Sequence, residues 1–257
     1  FLNKYIAVAD PNPKNCYFQA SILYASKLYN DAITKANECI TQGGTKPYPN
    51  LYGLKAYSYD KLGDSIQAKA NFEQYFGNVN PQKIGPTDYA TYGKILLKVP
   101  ASDSMAQVKN DALAEEYINK AISLDTLLSN KLEIIKTTAE TFVGFKKYNK
   151  AADWYSKVLN LKPDYGKVDL YYAGYNYYRG SNYVKSYSIF GLYEKKYPED
   201  IFGPFMKAHA EEGIDTVGVM GLAKPDYEKI IAIADTTTDK SKVKSYQITA
   251  YRYMVAY

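Results

Sequence analysis

The sequence predicts an all-α protein built from a repeated pair of helices, and three observations carry that prediction. Small residues recur twelve positions apart, and at helical spacing beyond them come aromatic or branched side chains. Prolines close several of these segments, as at Pro163 and Pro198. The chain also lacks the period-2 alternation and Asn-Gly turn pairs that mark strands and hairpins.

Taken in order, the chain opens on "FLNKYIAVADPNP", the back half of a helix with a proline stop, so it reads as cut from something longer. Ala20, Leu23, Ala32, Ala36 and Cys39 set the first full pair, and Ala56, Tyr59, Ala68, Phe72 and Tyr75 the second. The third runs from Gly93 and Leu96 to Ala114, Ile118 and Ala121, with about nine extra residues around "VPASDSMAQ" that read as a loop. Ala139, Phe142, Ala151, Tyr155 and Val158 form the fourth, then Gly174, Tyr177, Ser186, Phe190 and Tyr193 the fifth. A sixth, from Ala208 to Ala223, Tyr227 and Ile230, is three residues longer, and Lys242 to Tyr257 is an unpaired helix. The expected units are therefore 1–12, 13–48, 49–85, 86–131 with an insertion near 99–110, 132–166, 167–200, 201–241 and 242–257. Small residues are needed where two helices approach closely, because a long side chain would hold them apart.

This frame resembles the tetratricopeptide repeat (TPR) family, in which helix-turn-helix units of about 34 residues carry a small residue in each helix, an aromatic between them and a terminal proline. The phrase "GLAKPDYEKIIAIAD" resembles a segment of TPR proteins of Bacteroidota. The resemblance implies a right-handed superhelical solenoid, here of about fourteen helices, whose first helices line a concave binding face. Carried onto this chain, that face holds Tyr17, Ser21 and Tyr24, then Tyr57, Asp60 and Lys61, then Lys94, then Lys136 and Glu140. It continues with Tyr171, Tyr175, Tyr178 and Arg179, with Phe205, His209 and Glu212, and with Gln247 and Tyr251.

Composition narrows the function. The 32 Lys and Arg against 27 Asp and Glu are scattered, not gathered into the basic face that nucleic acid requires. No stretch reaches the roughly 20 apolar residues of a membrane-spanning helix. Cys16 and Cys39 lie outside any CxxC pattern and away from the single His209, which argues against a Cys/His metal site. They read first as small buried hydrophobes; in an exported chain a disulfide between the two facing turns is the alternative. His209 near Glu211 and Glu212 reads as a packing or groove residue, and Trp154 as packing between repeats. The phosphate-loop, nucleophile-elbow and HExxH patterns are absent, and no catalytic residue or cofactor is expected.

The remaining signal is tyrosine. Of 29 in the chain, six fall within "DLYYAGYNYYRGSNY", residues 169–183. Leu170, Ala173, Gly174 and Tyr177 form one stripe of that helix, and Tyr171, Tyr175 and Tyr178 a second about 100° away. Tyr59, Tyr155, Tyr177 and Tyr193 read as core aromatics. The second stripe reads equally as infill or as a face for a partner, since Tyr and Arg suit interface hot spots. The expected function is a non-catalytic scaffold for a peptide or protein, with glycan binding by groove aromatics as the alternative and an enzyme domain in a missing part of the parent chain as another. The resemblance favours an exported, cell-envelope location. The apolar end "YQITAYRYMVAY" implies that the parent chain continues or that a second copy covers this helix.

Overall fold

The structure, a computed structural model, describes Lys4 and residues 12–256. The helix expected over residues 1–10 lies, apart from Lys4, outside the described residues. Among these there are thirteen α-helices and no strand. The chain divides into two compact units, Phe1–Ile134 and Ile135–Tyr257.

In the first unit, α1 (Pro13–Ala25) and α2 (Tyr29–Gln42) form one pair, α3 (Asn50–Leu62) and α4 (Ser65–Asn78) the next, and α5 (Pro86–Lys98) and α6 (Ser104–Leu124) the third. Local chemistry explains their starts. The Asn12 side chain accepts from Lys14 N–H at 2.9 Å ahead of Pro13, and Asp64 accepts from Gln67 N–H at 3.0 Å. Gly63, at φ +81°, makes the left-handed turn between α3 and α4. The first helices pack on one another, α1 on α3 and α3 on α5, while each also packs on its own second helix. The extra residues of the third unit are not simply a loop. Asp103 caps α6 by accepting from Ala106 N–H at 2.8 Å, so Ser104–Gln107 extend that helix to 21 residues.

A second correction concerns the cysteines. Cys16 on α1 and Cys39 on α2 are joined in a disulfide, with Cα atoms 5.7 Å apart. Two free, buried thiols were the first expectation; the alternative holds because the small residues Ala20 and Ala36, both buried, let the helices approach to bonding distance.

The division between units falls within α7 (Leu128–Gly144). The second unit continues with α8 (Tyr148–Leu161), α9 (Lys167–Arg179), α10 (Tyr183–Lys196), α11 (Phe202–Ile214), α12 (Lys224–Thr236) and α13 (Lys244–Ala256). From α8 onward each helix packs on the next. The frame residues form the core: Ala139, Phe142, Ala151, Val158, Phe190, Ala208, Tyr227 and Ile230 are all buried. Gly174 shows why the frame demands small residues. A Cβ built there would lie 2.7 Å from the ring of Phe190. Tyr155, Tyr177 and Tyr193 are buried as expected, and Trp154 on α8 is buried with the Lys157 ammonium 3.5 Å above its ring centre. Tyr59 is only half-buried. It lies near the end of α3, where a helix has fewer neighbours to cover it.

Candidate functional site

Helix α9 carries the densest aromatic face. Its start is fixed by Asp169, whose carboxylate accepts from Gly166 N–H and from the Lys162 ammonium, each at 2.9 Å. Burial alone would raise this carboxyl, but those two donors hold it below its usual range. The buried stripe of Leu170, Ala173, Gly174 and Tyr177 then fixes the helix rotation. The Tyr177 hydroxyl donates to Asp153 at 2.6 Å, which makes this tyrosine structural.

The second stripe is half-buried, with Tyr175 and Tyr178 packed against the core of Leu170, Phe190, Tyr193 and Met206. Tyr171 and Tyr175 stack at 5.2 Å with 11° between ring planes, and Tyr175 and Tyr178 follow at 6.4 Å and 15°. Near-parallel rings cover part of one another's faces. Burial raises the Tyr171 and Tyr178 hydroxyls above their ordinary range. Both therefore stay protonated at neutral pH, as donors and acceptors. Arg179 closes the row: its guanidinium lies 3.9 Å from the Tyr148 ring centre and donates to that hydroxyl at 2.7 Å. The other tyrosines of this stretch are engaged elsewhere, Tyr172 stacked on Tyr155 at 5.1 Å and Tyr183 against Gly213.

From α11, Phe205 and His209 meet edge-to-face at 4.4 Å, and His209 lies 6.4 Å from Tyr178. His209 Nδ1 is 2.9 Å from the Glu212 carboxylate, a contact that holds the Glu212 carboxyl below its usual range. Lys136 is half-buried, 3.9 Å from Asp169, and Glu140 and Tyr251 are exposed. Gln247 donates to Asp235 at 2.9 Å. Two residues that the sequence reading passed over also contribute. Tyr148 carries Arg179, and Tyr246 packs edge-on against Phe205 at 4.7 Å. Tyr246 sits one position before Gln247, so a wider window on the last helix would have found it.

In the first unit the candidates are less uniform. Tyr17 meets Tyr48 at 5.3 Å and Tyr24 meets Tyr57 at 6.4 Å. The Tyr57 hydroxyl donates to Asp88 at 2.6 Å, and burial together with that carboxylate raises it. Ser21 donates to the backbone carbonyl of Tyr17 at 2.8 Å. Asp60 lies 3.6 Å from Lys98, Lys61 is exposed, and burial lowers the half-buried Lys94. No group of three His, Cys, Asp or Glu among the described residues is placed to hold a metal ion.

Paired helices in close contact at small residues define a helical-repeat protein. Residues 49–77 match the tetratricopeptide repeat family model, and the TPR resemblance holds in the fold as well. The C-terminal part of a TPR repeat-containing protein from Cytophaga hutchinsonii, a member of the Bacteroidota, is 26% identical with a TM-score of 0.53, covering 94% of this chain and 87% of its own. YrrB, described as a TPR protein with an unusual peptide-binding site, is 16% identical with a TM-score of 0.54, covering 82% of this chain and 97% of its own. Naa15/Naa10 bound to HypK gives 15% identity and a TM-score of 0.58, covering 95% of this chain and 35% of its own. These last two show the fold alone. No curated protein matches the chain.

Proposed function

We propose that the protein is a non-catalytic interaction scaffold that binds an extended segment of a peptide or protein on its tyrosine face. The fold is one used generally for protein–protein interaction. The observation that carries the reading is the half-exposed row of Tyr171, Tyr175 and Tyr178, ended by Arg179 and flanked by Phe205 and His209. Tyr175 and Tyr178 also pack against the core of Leu170, Phe190, Tyr193 and Met206, and the row stays half-exposed beyond that contact. Such a row offers rigid apolar area and hydroxyls at low entropic cost, and Arg adds a fork of donors. YrrB supports peptide binding at the level of fold. Glycan stacking is less well served, because it needs open ring faces and here the rings partly cover one another. The Cys16–Cys39 disulfide supports an oxidising, exported location.

The test is a pull-down from envelope extract of the source organism, comparing the wild type with Tyr171→Ala/Tyr175→Ala/Tyr178→Ala after circular dichroism shows equal helicity. A protein retained by the wild type and lost by the folded variant supports the reading. Equal retention by both removes the tyrosine row as the site.

A further inference from the structure

Helices α10, α11 and α12 meet at a cluster of ionisable side chains in the second unit. The Lys207 ammonium on α11 pairs with Glu194 of α10 at 2.9 Å and donates to Asp226 of α12 at 2.8 Å. Lys229 of α12 pairs with the same Glu194. The side chains of Lys207, Glu194 and Asp226 are only 12%, 15% and 8% exposed. Two ammonium groups thus offset two carboxylates. The remaining member is Glu211, one turn beyond Lys207 on α11, whose carboxyl lies against Asp226. Its Oε2 is buried and has no hydrogen-bond partner.

Two carboxyls that share a buried site do not both ionise, because the second charge would meet a like neighbour away from water. Asp226 already accepts from an ammonium, so the proton belongs on Glu211. The surrounding groups leave that count unchanged. On α11, Glu212 is in contact with His209 at 2.9 Å, and the Asp215 carboxylate accepts from Met220 N–H at 2.9 Å. On α12, Lys224 is engaged and Glu228 is exposed. From α10 come the Tyr187 ring, 4.7 Å from the Lys207 ammonium, and Lys185, which pairs with Asp153 at 3.1 Å. From α9 comes Arg179, held on Tyr148, and the Lys244 and Arg252 side chains of α13 are exposed. The other half of the junction, with Ala208, Tyr227 and Ile230, is apolar.

We propose that Glu211 is a proton lock: protonated, it completes the network of Lys207, Asp226 and Glu194 and holds α12 on α11, and loss of the proton eases the two helices apart. Burial and Asp226 raise Glu211 from 4.5 to about 8. Opening therefore releases one proton between those values and becomes about ten-fold easier per pH unit, with no further change above pH 8. The same helix carries Phe205 and His209, so opening reaches the candidate face; that link rests on the binding reading, and the opening itself does not.

The experiment is hydrogen–deuterium exchange of the intact chain with mass spectrometry at about pH 5.5 and about pH 7.5, each rate divided by that of the unfolded chain. Peptides of α11 and α12 should lose about a hundred-fold in protection between the two, while those of the first unit, which open separately in a repeat protein, should not. Glu211→Gln keeps an uncharged, hydrogen-bonding group against Asp226 and leaves His209 in place. Its α11 and α12 peptides should be equally protected at both pH values. Protection of α11 and α12 that does not change with pH in the wild type overturns the proposal. So does an equal slope in Glu211→Gln, which assigns the proton to another group such as His209, and so does a loss shared equally by both units, which means that no junction opens by itself.

Discussion

Gly174→Ala is the most informative single change in the fold, because the same substitution at Gly191 is its control. Replacing a helical glycine by alanine normally stabilises by about 1 kcal/mol through backbone entropy and propensity. At Gly191, on α10, a new Cβ meets nothing within 4 Å, so that gain should appear unopposed. At Gly174 the Cβ would lie 2.7, 2.8 and 3.1 Å from three atoms of the Phe190 ring. That ring is fully buried and packed edge-on against Phe202 at 5.8 Å, so yielding would disturb a packed contact. Overpacking costs about 1–3 kcal/mol, and three close atoms on a trapped ring place this case in the upper half. The net expectation is a loss of about 1–2 kcal/mol at Gly174 and a gain of about 1 kcal/mol at Gly191. Urea unfolding followed by circular dichroism should move the two midpoints in opposite directions. If Gly174→Ala stabilises as Gly191→Ala does, α9 and α10 do not meet at this glycine, and the helix rotation that leaves Tyr171, Tyr175 and Tyr178 half-buried loses its basis.

Ala151→Leu overpacks the fully buried contact in the preceding pair and should cost about 1–3 kcal/mol; an unchanged melting temperature would contradict the register. Thiol titration in denaturant without reductant should find no free thiol, and reduction should cost roughly 3 kcal/mol for a loop of 23 residues, whereas two free thiols would exclude the Cys16–Cys39 bond. Burial and the neighbouring Asp226 carboxylate push Glu211 up to about 8 from 4.5. The folded state thus holds the proton more tightly than the unfolded chain, so this contribution to stability is present below pH 4.5 and is lost as pH rises toward 8. Glu211→Gln should therefore gain on the wild type across that interval in pH-dependent unfolding, and parallel curves would show that Glu211 ionises normally.

The helix pairs were legible because the small-residue frame depends only on spacing along one chain: Ala139 to Ala151 and Gly174 to Ser186 are each twelve apart, and all four are buried. The helical start at Ser104 was missed because the break after Lys98 resembles a loop until the Asp103 cap is seen. The disulfide was undecided because it depends on a Cα separation that no spacing encodes. At the candidate face, the stripe geometry of Tyr171, Tyr175 and Tyr178 follows from helical periodicity, but hydroxyl use does not. Tyr57 reads like Tyr171 in sequence, yet its hydroxyl is taken by Asp88, thirty-one residues further on. Likewise Arg179 finds Tyr148 thirty-one residues back, on the neighbouring pair.

The central claim, that a partner binds on the tyrosine face of the first helices, is tested most directly by site-specific photocrosslinking. A benzophenone side chain placed at Tyr175 on α9 is compared with one at the exposed Leu192 on α10. The account predicts a discrete crosslinked partner from position 175 and none from 192. The same crosslink from 192 but not from 175 would put the binding surface on the second helices and contradict it.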